Sequence, residues 1–282
     1  MSRGSTMRSP GAGRTPATTL NVEFDGRQLI IRSDVARVLD FARSTYVEML
    51  VPKATASVGT IEIVQRKNGF AIRGFESIDI ADVFGGEVDV LLPVVKQEVF
   101  YRFVRARPDL FWLHAGVAER DGSALVLPGV SGQGKSTLVT LLCERGWRLM
   151  SDDVAPIFMD SNVVLPFLQI PMRRIYPGRR VPAGEIEQLG RETVAIPRES
   201  VWREPAAIRA VVFPRFEDPE RAQLSLLSPG DAALELLRHC SNFVDHRGDA
   251  VERAASMARS VPFHRLSYHV PLDAAAILDA IH

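Results

Sequence analysis

The chain has 282 residues, 46% of them hydrophobic, and its 34 basic residues are balanced by 34 acidic ones. That supports one large or two modest domains with real cores, and it offers no charge footprint for nucleic acid or an anionic membrane. No apolar stretch reaches the roughly 18 residues of a membrane-spanning helix, and the two cysteines, Cys143 and Cys240, form no C-x-x-C pair, so reduced thiols in a cytoplasmic compartment are expected.

In chain order, residues 1–19 are mostly Ser, Thr, Gly, Pro and Arg and read as a disordered tail. Residues 20–95 read as a small α+β unit without a catalytic signature. Asn21–Phe24 and Gln28–Arg32 alternate around Asp25-Gly26 as a hairpin, and Ser33-Asp34 is placed to cap a helix from Val35 to about Met49. A second hairpin is expected from Gly59–Val64 and Phe70–Arg73 around Asn68-Gly69. Pro93 suits a first helical turn, so a helix from Pro93 to about Arg107, with Val95, Val99, Phe100 and Phe103 on its core face, leads into a domain spanning 96–282.

That domain opens with a strand over Phe111–Ala118 and a turn at Asp121-Gly122. A buried strand at Ser123–Pro128 then runs into Gly129-Val130-Ser131-Gly132-Gln133-Gly134-Lys135-Ser136-Thr137 and a helix closed by Gly146. This is the full G-x-x-x-x-G-K-[ST] phosphate loop in its strand–loop–helix context. The glycines let backbone N–H groups approach phosphate oxygens, and the helix N-terminus adds partial positive charge. Lys135 can bridge the terminal phosphates, and the Ser136 hydroxyl is placed to ligate Mg²⁺. ATP with Mg²⁺ is the expected cofactor pair.

A third strand, Trp147–Met150, ends on Ser151-Asp152-Asp153. One of these carboxylates can hold the metal, and its neighbour, pointing elsewhere, can accept a proton from an attacking hydroxyl. His114, in the strand before the loop's own strand, reads from spacing alone as either a core histidine or a site residue. Further strands are expected at Val154–Met159, Ile208–Pro214, Ala222–Leu227 and Phe263–Tyr268, and helices at Pro229–Arg238 and Leu272–Ile281. Between Pro166 and Pro205 the periodicity fades. The arginines there (Arg173, Arg174, Arg179 and Arg180) read as phosphate-charge stabilisers or as a solvated loop, and His239-Cys240 reads as a helix terminus.

The segment Leu113–Pro156 resembles HPr kinase/phosphorylase and its relatives: a His-Ala strand, a phosphate loop, a helix ending in Arg-Gly and a strand ending in Asp-Asp. Gly129 lies fifteen positions after His114 and Asp152 seventeen positions after Lys135, as in that family. The resemblance implies an α/β fold with a phosphate-loop kinase core of the HPr kinase and phosphoenolpyruvate carboxykinase type. It also implies Asp152 as general base supported by His114, and Ser136 with Asp153 as metal ligands. The chain departs from the family downstream, where Phe167–Arg174 stands in place of a Glu-Arg-Gly-Leu-Gly signature that contributes a metal-binding Glu. It looks more like the HPr-kinase-related proteins found beside peptide-modification genes, some of which phosphorylate a serine on a precursor peptide. The resemblance also makes a homo-oligomer plausible.

The leading expectation is therefore an Mg-dependent, ATP-using kinase acting on a hydroxyl acceptor of a protein or peptide, with neither nucleic acid nor membrane as partner. The alternatives are an NTPase switch working through partners and a kinase for a small metabolite.

Overall fold

A computed structural model describes residues 17–53, 57–77, 83–174, 191–217, 219 and 221–281. The tail expected at residues 1–19 therefore lies almost wholly outside the described residues, as do Arg179 and Arg180. The N-terminal region contains β1 (Thr18–Phe24), β2 (Arg27–Ser33), α1 (Ala36–Thr45), β3 (Leu50–Val51), β4 (Ser57–Arg66), β5 (Gly69–Arg73) and β6 (Val83–Phe84). These strands form one sheet in the order β3-β1-β2-β4-β5-β6. Asp25 and Gly26 both take positive φ (45° and 71°), the conformation whose twist matches the β1–β2 hairpin. The expected capping of α1 is not found. Ser33 and Asp34 precede the cap position, Val35, and spend their side chains on the Val35 and Gln65 N–H groups. The helix also stops at Thr45, and a 3₁₀ turn covers Val47–Met49.

Helix α2 (Val88–Ala106) starts five residues earlier than Pro93 suggested, so Pro93 sits inside it. Leu91, Leu92, Val95, Val99 and Phe103 are all buried, and that packing outweighs the hydrogen bond Pro93 cannot make. The aromatic cluster beneath α2 joins the two parts of the chain. Phe24 from β1 packs at 5.4 Å from Trp112 and 5.1 Å from Phe167.

The second sheet uses β7 (Leu110–Leu113), β8 (Ala115–Arg120), β9 (Ser123–Pro128), β10 (Arg148–Ser151), β11 (Ala155–Phe158), β12 (Val163–Val164), β15 (Ala206–Phe216), β16 (Gln223–Leu226) and β17 (Phe263–Tyr268). A small separate ribbon is formed by β13 (Met172–Arg174) and β14 (Arg191–Thr193). The large sheet runs β10-β8-β9-β15-β12-β11-β7, with β17 on the far half of β15 and β16 beside it. Strands β9, β15 and β17 are mutually parallel. Helices α4 (Pro229–Arg238) and α6 (Gly248–Ser260) pack apolar side chains on one face, and α3 (Lys135–Glu144) and α7 (Pro271–Asp279) on the other. The chain is thus a mixed α/β protein with helices on both sides of its larger sheet. α6 was not anticipated: it opens at a glycine with no side-chain cap, and its buried stripe is mostly alanine. Between α4 and α6 lies a single helical turn, α5 (Phe243–His246). Among the described residues, no helix is long and apolar enough to cross a membrane.

Candidate functional site

The expected strand over Phe111–Ala118 is in fact two strands. The chain breaks at His114: β7 pairs with β11, whereas β8 pairs with β9 and β10. An equivalent break separates β10 from β11 at Asp152, Asp153 and Val154. The two breaks lie side by side, because the Asp153 carbonyl accepts from the Ala115 N–H at 3.1 Å and lies 2.9 Å from His114 Nδ1. Asp153 turns the chain there with φ 75°, a left-handed conformation that an aspartate tolerates better than most residues. This curl of the sheet, rather than any local motif, brings the carboxylates to the glycine-rich loop.

The loop follows β9 and ends at the cap of α3, where Gly134 takes φ 81°. A Cβ at Gly134 would collide with the Tyr268 hydroxyl, so both the conformation and the close approach require glycine. The Tyr268 hydroxyl donates to the Gln133 carbonyl at 2.9 Å, and Gln133 Oε1 accepts from the Phe216 N–H at 2.8 Å. The loop base is fixed by the Gly129 N–H donating to the His114 carbonyl at 3.2 Å. Gly129 is buried, while Val130, Ser131, Gly132 and Thr137 are exposed.

The Lys135 ammonium is buried and folds back onto the loop. It donates to the Gly129 carbonyl at 2.7 Å and the Val130 carbonyl at 3.2 Å, and stands 3.1 Å from His114 Nε2. Asp153 Oδ1 is 4.0 Å from it and 3.9 Å from His114 Nε2. A cation that no motif foretold completes the group. Lys96, on α2, forms an ion pair with Asp153 Oδ2. It stands in a helix read as core packing, and only the folded chain carries its ammonium to Asp153.

His114 was expected to support Asp152, but its contacts are with Asp153 and Lys135. Ser136 was expected beside Asp153, but the carboxyl it acts on electrostatically is that of Asp152. The two acids therefore differ sharply. Asp152 is 2% exposed, and its Oδ1 has no partner among the described residues. Burial, then the charge of Asp153, pushes its carboxyl up to about 6, although Lys96, Ser136 and Lys135 pull the other way. For Asp153 burial acts in the same upward direction, but Lys96, His114 and Lys135 outweigh it and hold the carboxyl far below its ordinary value. Burial, reinforced by Lys135 and Lys96, lowers His114 and keeps its imidazole neutral, with Asp153 only partly opposing.

Among the described residues, no group of three or more His, Cys, Asp or Glu side chains is placed to hold a metal ion. A cation here would need oxygen ligands from a bound phosphate and water besides the protein, which is how Mg²⁺ is usually held. The buried, unpartnered Asp152 Oδ1 fits such an ion, with Ser136 at the start of α3 as its second candidate ligand. His239, read as a helix terminus, does end α4. It also reaches the site: its carbonyl accepts from the His114 N–H at 2.8 Å.

Fold and site together define a mixed α/β protein with a glycine-rich strand–loop–helix facing two adjacent carboxylates, one buried and one half-buried. No protein-family model matches the chain, and none of the curated proteins does. Among solved structures the chain is similar to the Hpr(Ser) kinase/phosphatase from Coxiella burnetii, with 14% identity over 60% of this chain and 87% of that one, at a TM-score of 0.33. A likeness of that size carries no argument about activity.

Proposed function

We propose that the protein is an Mg-dependent phosphotransferase of the HPr-kinase-like kind, moving the γ-phosphoryl group of ATP to a hydroxyl on a protein or peptide. The observation that carries this reading is the convergence of Lys135, Ser136, Asp152 and Asp153 at one loop whose glycines leave room for phosphate. The loop N–H groups and the N-terminus of α3 bind the phosphate chain. On triphosphate binding Lys135 exchanges its carbonyl partners for phosphate oxygens. Mg²⁺ held by Ser136 and Asp152 would neutralise charge on the phosphates.

The neighbours of the two acids favour an exchange of the roles expected from sequence. Ser136 and Asp152 form the cation-holding pair, because Asp152 has the unsatisfied oxygen. Asp153, fixed in its charged form and 24% exposed at its side chain, orients the acceptor hydroxyl and takes its proton. A carboxylate of low basicity suffices when the transition state is loose and the proton leaves late. Neutral His114 holds the Asp153 turn and spaces Lys135 from it.

The test is transfer of label from γ-labelled ATP to hydroxyl-bearing peptides, with wild type, Asp152→Asn and Asp153→Asn compared over a range of Mg²⁺ concentrations. The expected result is a raised Mg²⁺ requirement for Asp152→Asn and a lowered kcat at saturating Mg²⁺ for Asp153→Asn. The opposite pattern would restore the sequence-based roles. Free phosphate released with no labelled acceptor would favour an NTPase switch.

A further inference from the structure

We infer that Phe216 and His269 form the platform on which the purine base of the nucleotide stacks; this rests on the triphosphate reading of the loop. Strands β9, β15 and β17 run parallel and adjacent, so their C-terminal ends open on the same side. Ligands of parallel sheets lie in the crevice beyond those ends, and a nucleotide anchored by its phosphates after β9 extends across the neighbouring strand ends. What stands at those ends is aromatic. Phe216 is the last residue of β15, and His269 immediately follows β17.

Their rings are nearly parallel, at 16° and 5.6 Å between centroids, an offset arrangement that leaves ring area uncovered. Phe216 is 48% exposed, an unusual state for a large aromatic residue at the end of a buried strand, and His269 is exposed too. Tyr268 meets Phe216 edge-on at 5.6 Å and braces it from behind. The platform is also tied to the phosphate side. Gln133 receives a hydrogen bond from the Phe216 N–H on its side chain and one from the Tyr268 hydroxyl on its carbonyl. One loop residue thus sets the spacing between the phosphate cradle and the rings. Aromatic faces grip bases through stacking whatever the base edge presents.

The experiment is calorimetric titration of the full chain with ATP and, separately, with inorganic tripolyphosphate, which has the phosphates but no base. Wild type should bind ATP more tightly than tripolyphosphate. Phe216→Ala, which keeps the backbone donor to Gln133, should weaken ATP about tenfold or more while leaving tripolyphosphate unchanged. Phe216→Tyr should restore ATP binding. The platform is overturned if Phe216→Ala binds ATP as wild type does, if it loses both ligands equally, or if wild type does not distinguish them. Failure of wild type to bind either ligand would instead remove the triphosphate reading, and the platform with it.

Discussion

Two buried carboxylates, Glu98 on α2 and Asp152 beside the glycine-rich loop, are satisfied in opposite ways. Glu98 on α2 has no exposure, yet it accepts from Arg102 Nε at 2.7 Å and from the N–H groups of Glu76 and Ser77 at 3.0 and 2.8 Å. Burial pushes its carboxyl up, but Arg102 and the Ser77 and Glu76 donors outweigh it, and the group ends below its ordinary value. Asp152 is almost as buried, keeps an unpartnered oxygen and ends above its ordinary value. A buried charge that is fully hydrogen-bonded holds the fold together, whereas one left short beside a glycine-rich loop is what the proposed cation would satisfy. Glu235 belongs with Glu98: Arg215, Arg238 and Arg265 all surround it.

The sharpest test of this contrast is at the loop. Lys135→Ala should lower phosphoryl turnover about 10³-fold, roughly 4 kcal/mol of transition-state stabilisation, with little change in the urea midpoint. Turnover retained in that variant would sink the site. On the structural side, Glu98→Ala removes the acceptor of Arg102 Nε and of the Glu76 and Ser77 N–H groups, leaving Arg102 with Glu76 and two backbone carbonyls, and should destabilise the protein by about 2 kcal/mol in urea unfolding with ATP affinity of the folded fraction intact. An unchanged midpoint would break the comparison at its structural end.

Acid should act on His239 next. Burial is the main cause that lowers it to about 4, so the folded protein keeps it neutral while the unfolded chain takes up a proton below its ordinary 6.5. The contribution of His239 to stability is therefore flat above pH 7 and falls as pH drops from 6.5 toward 4, by on the order of 2 kcal/mol, while the raised carboxyl of Asp152 acts in the opposite direction over the same range. His239→Phe should flatten that slope in a series of urea curves. A smaller effect is expected at Asp152. Protons compete with the cation as pH falls through about 6, so half-maximal activity should need about tenfold more Mg²⁺ at pH 5 than at pH 7. Asp152→Asn should lose that pH dependence. The mildest change is Lys96→Met. Lys96 is the foremost charge holding Asp153 down, so its removal should move the acid limb of kcat/KM to higher pH and lower the rate at pH 7 by less than about threefold.

Much of the fold was readable where the signal is local. The hairpin at Asp25-Gly26 and the turn at Asp121-Gly122 follow from residues that accept positive φ. Helix α4 follows from Ser228, which accepts from the Asp231 N–H, and from Pro229 in its first turn. Packing overrode the local signals elsewhere. Pro93 was absorbed into α2, and the run Phe111–Ala118, uniform in its apolar character, gave no sign of the break at His114, since the break exists only because its two halves pair at different places in the sheet.

The sequence by itself determined the chemistry available: the glycine spacing, Lys135, Ser136 and the adjacent acids are a local pattern whose meaning depends on backbone freedom and residue type. Only the tertiary structure decided who faces whom. It set His114 and Lys96 on Asp153 and Phe216 against His269. Those partnerships span 39, 57 and 53 positions along the chain, and contacts at such separations are fixed by sheet register and curl, which no short stretch of sequence encodes.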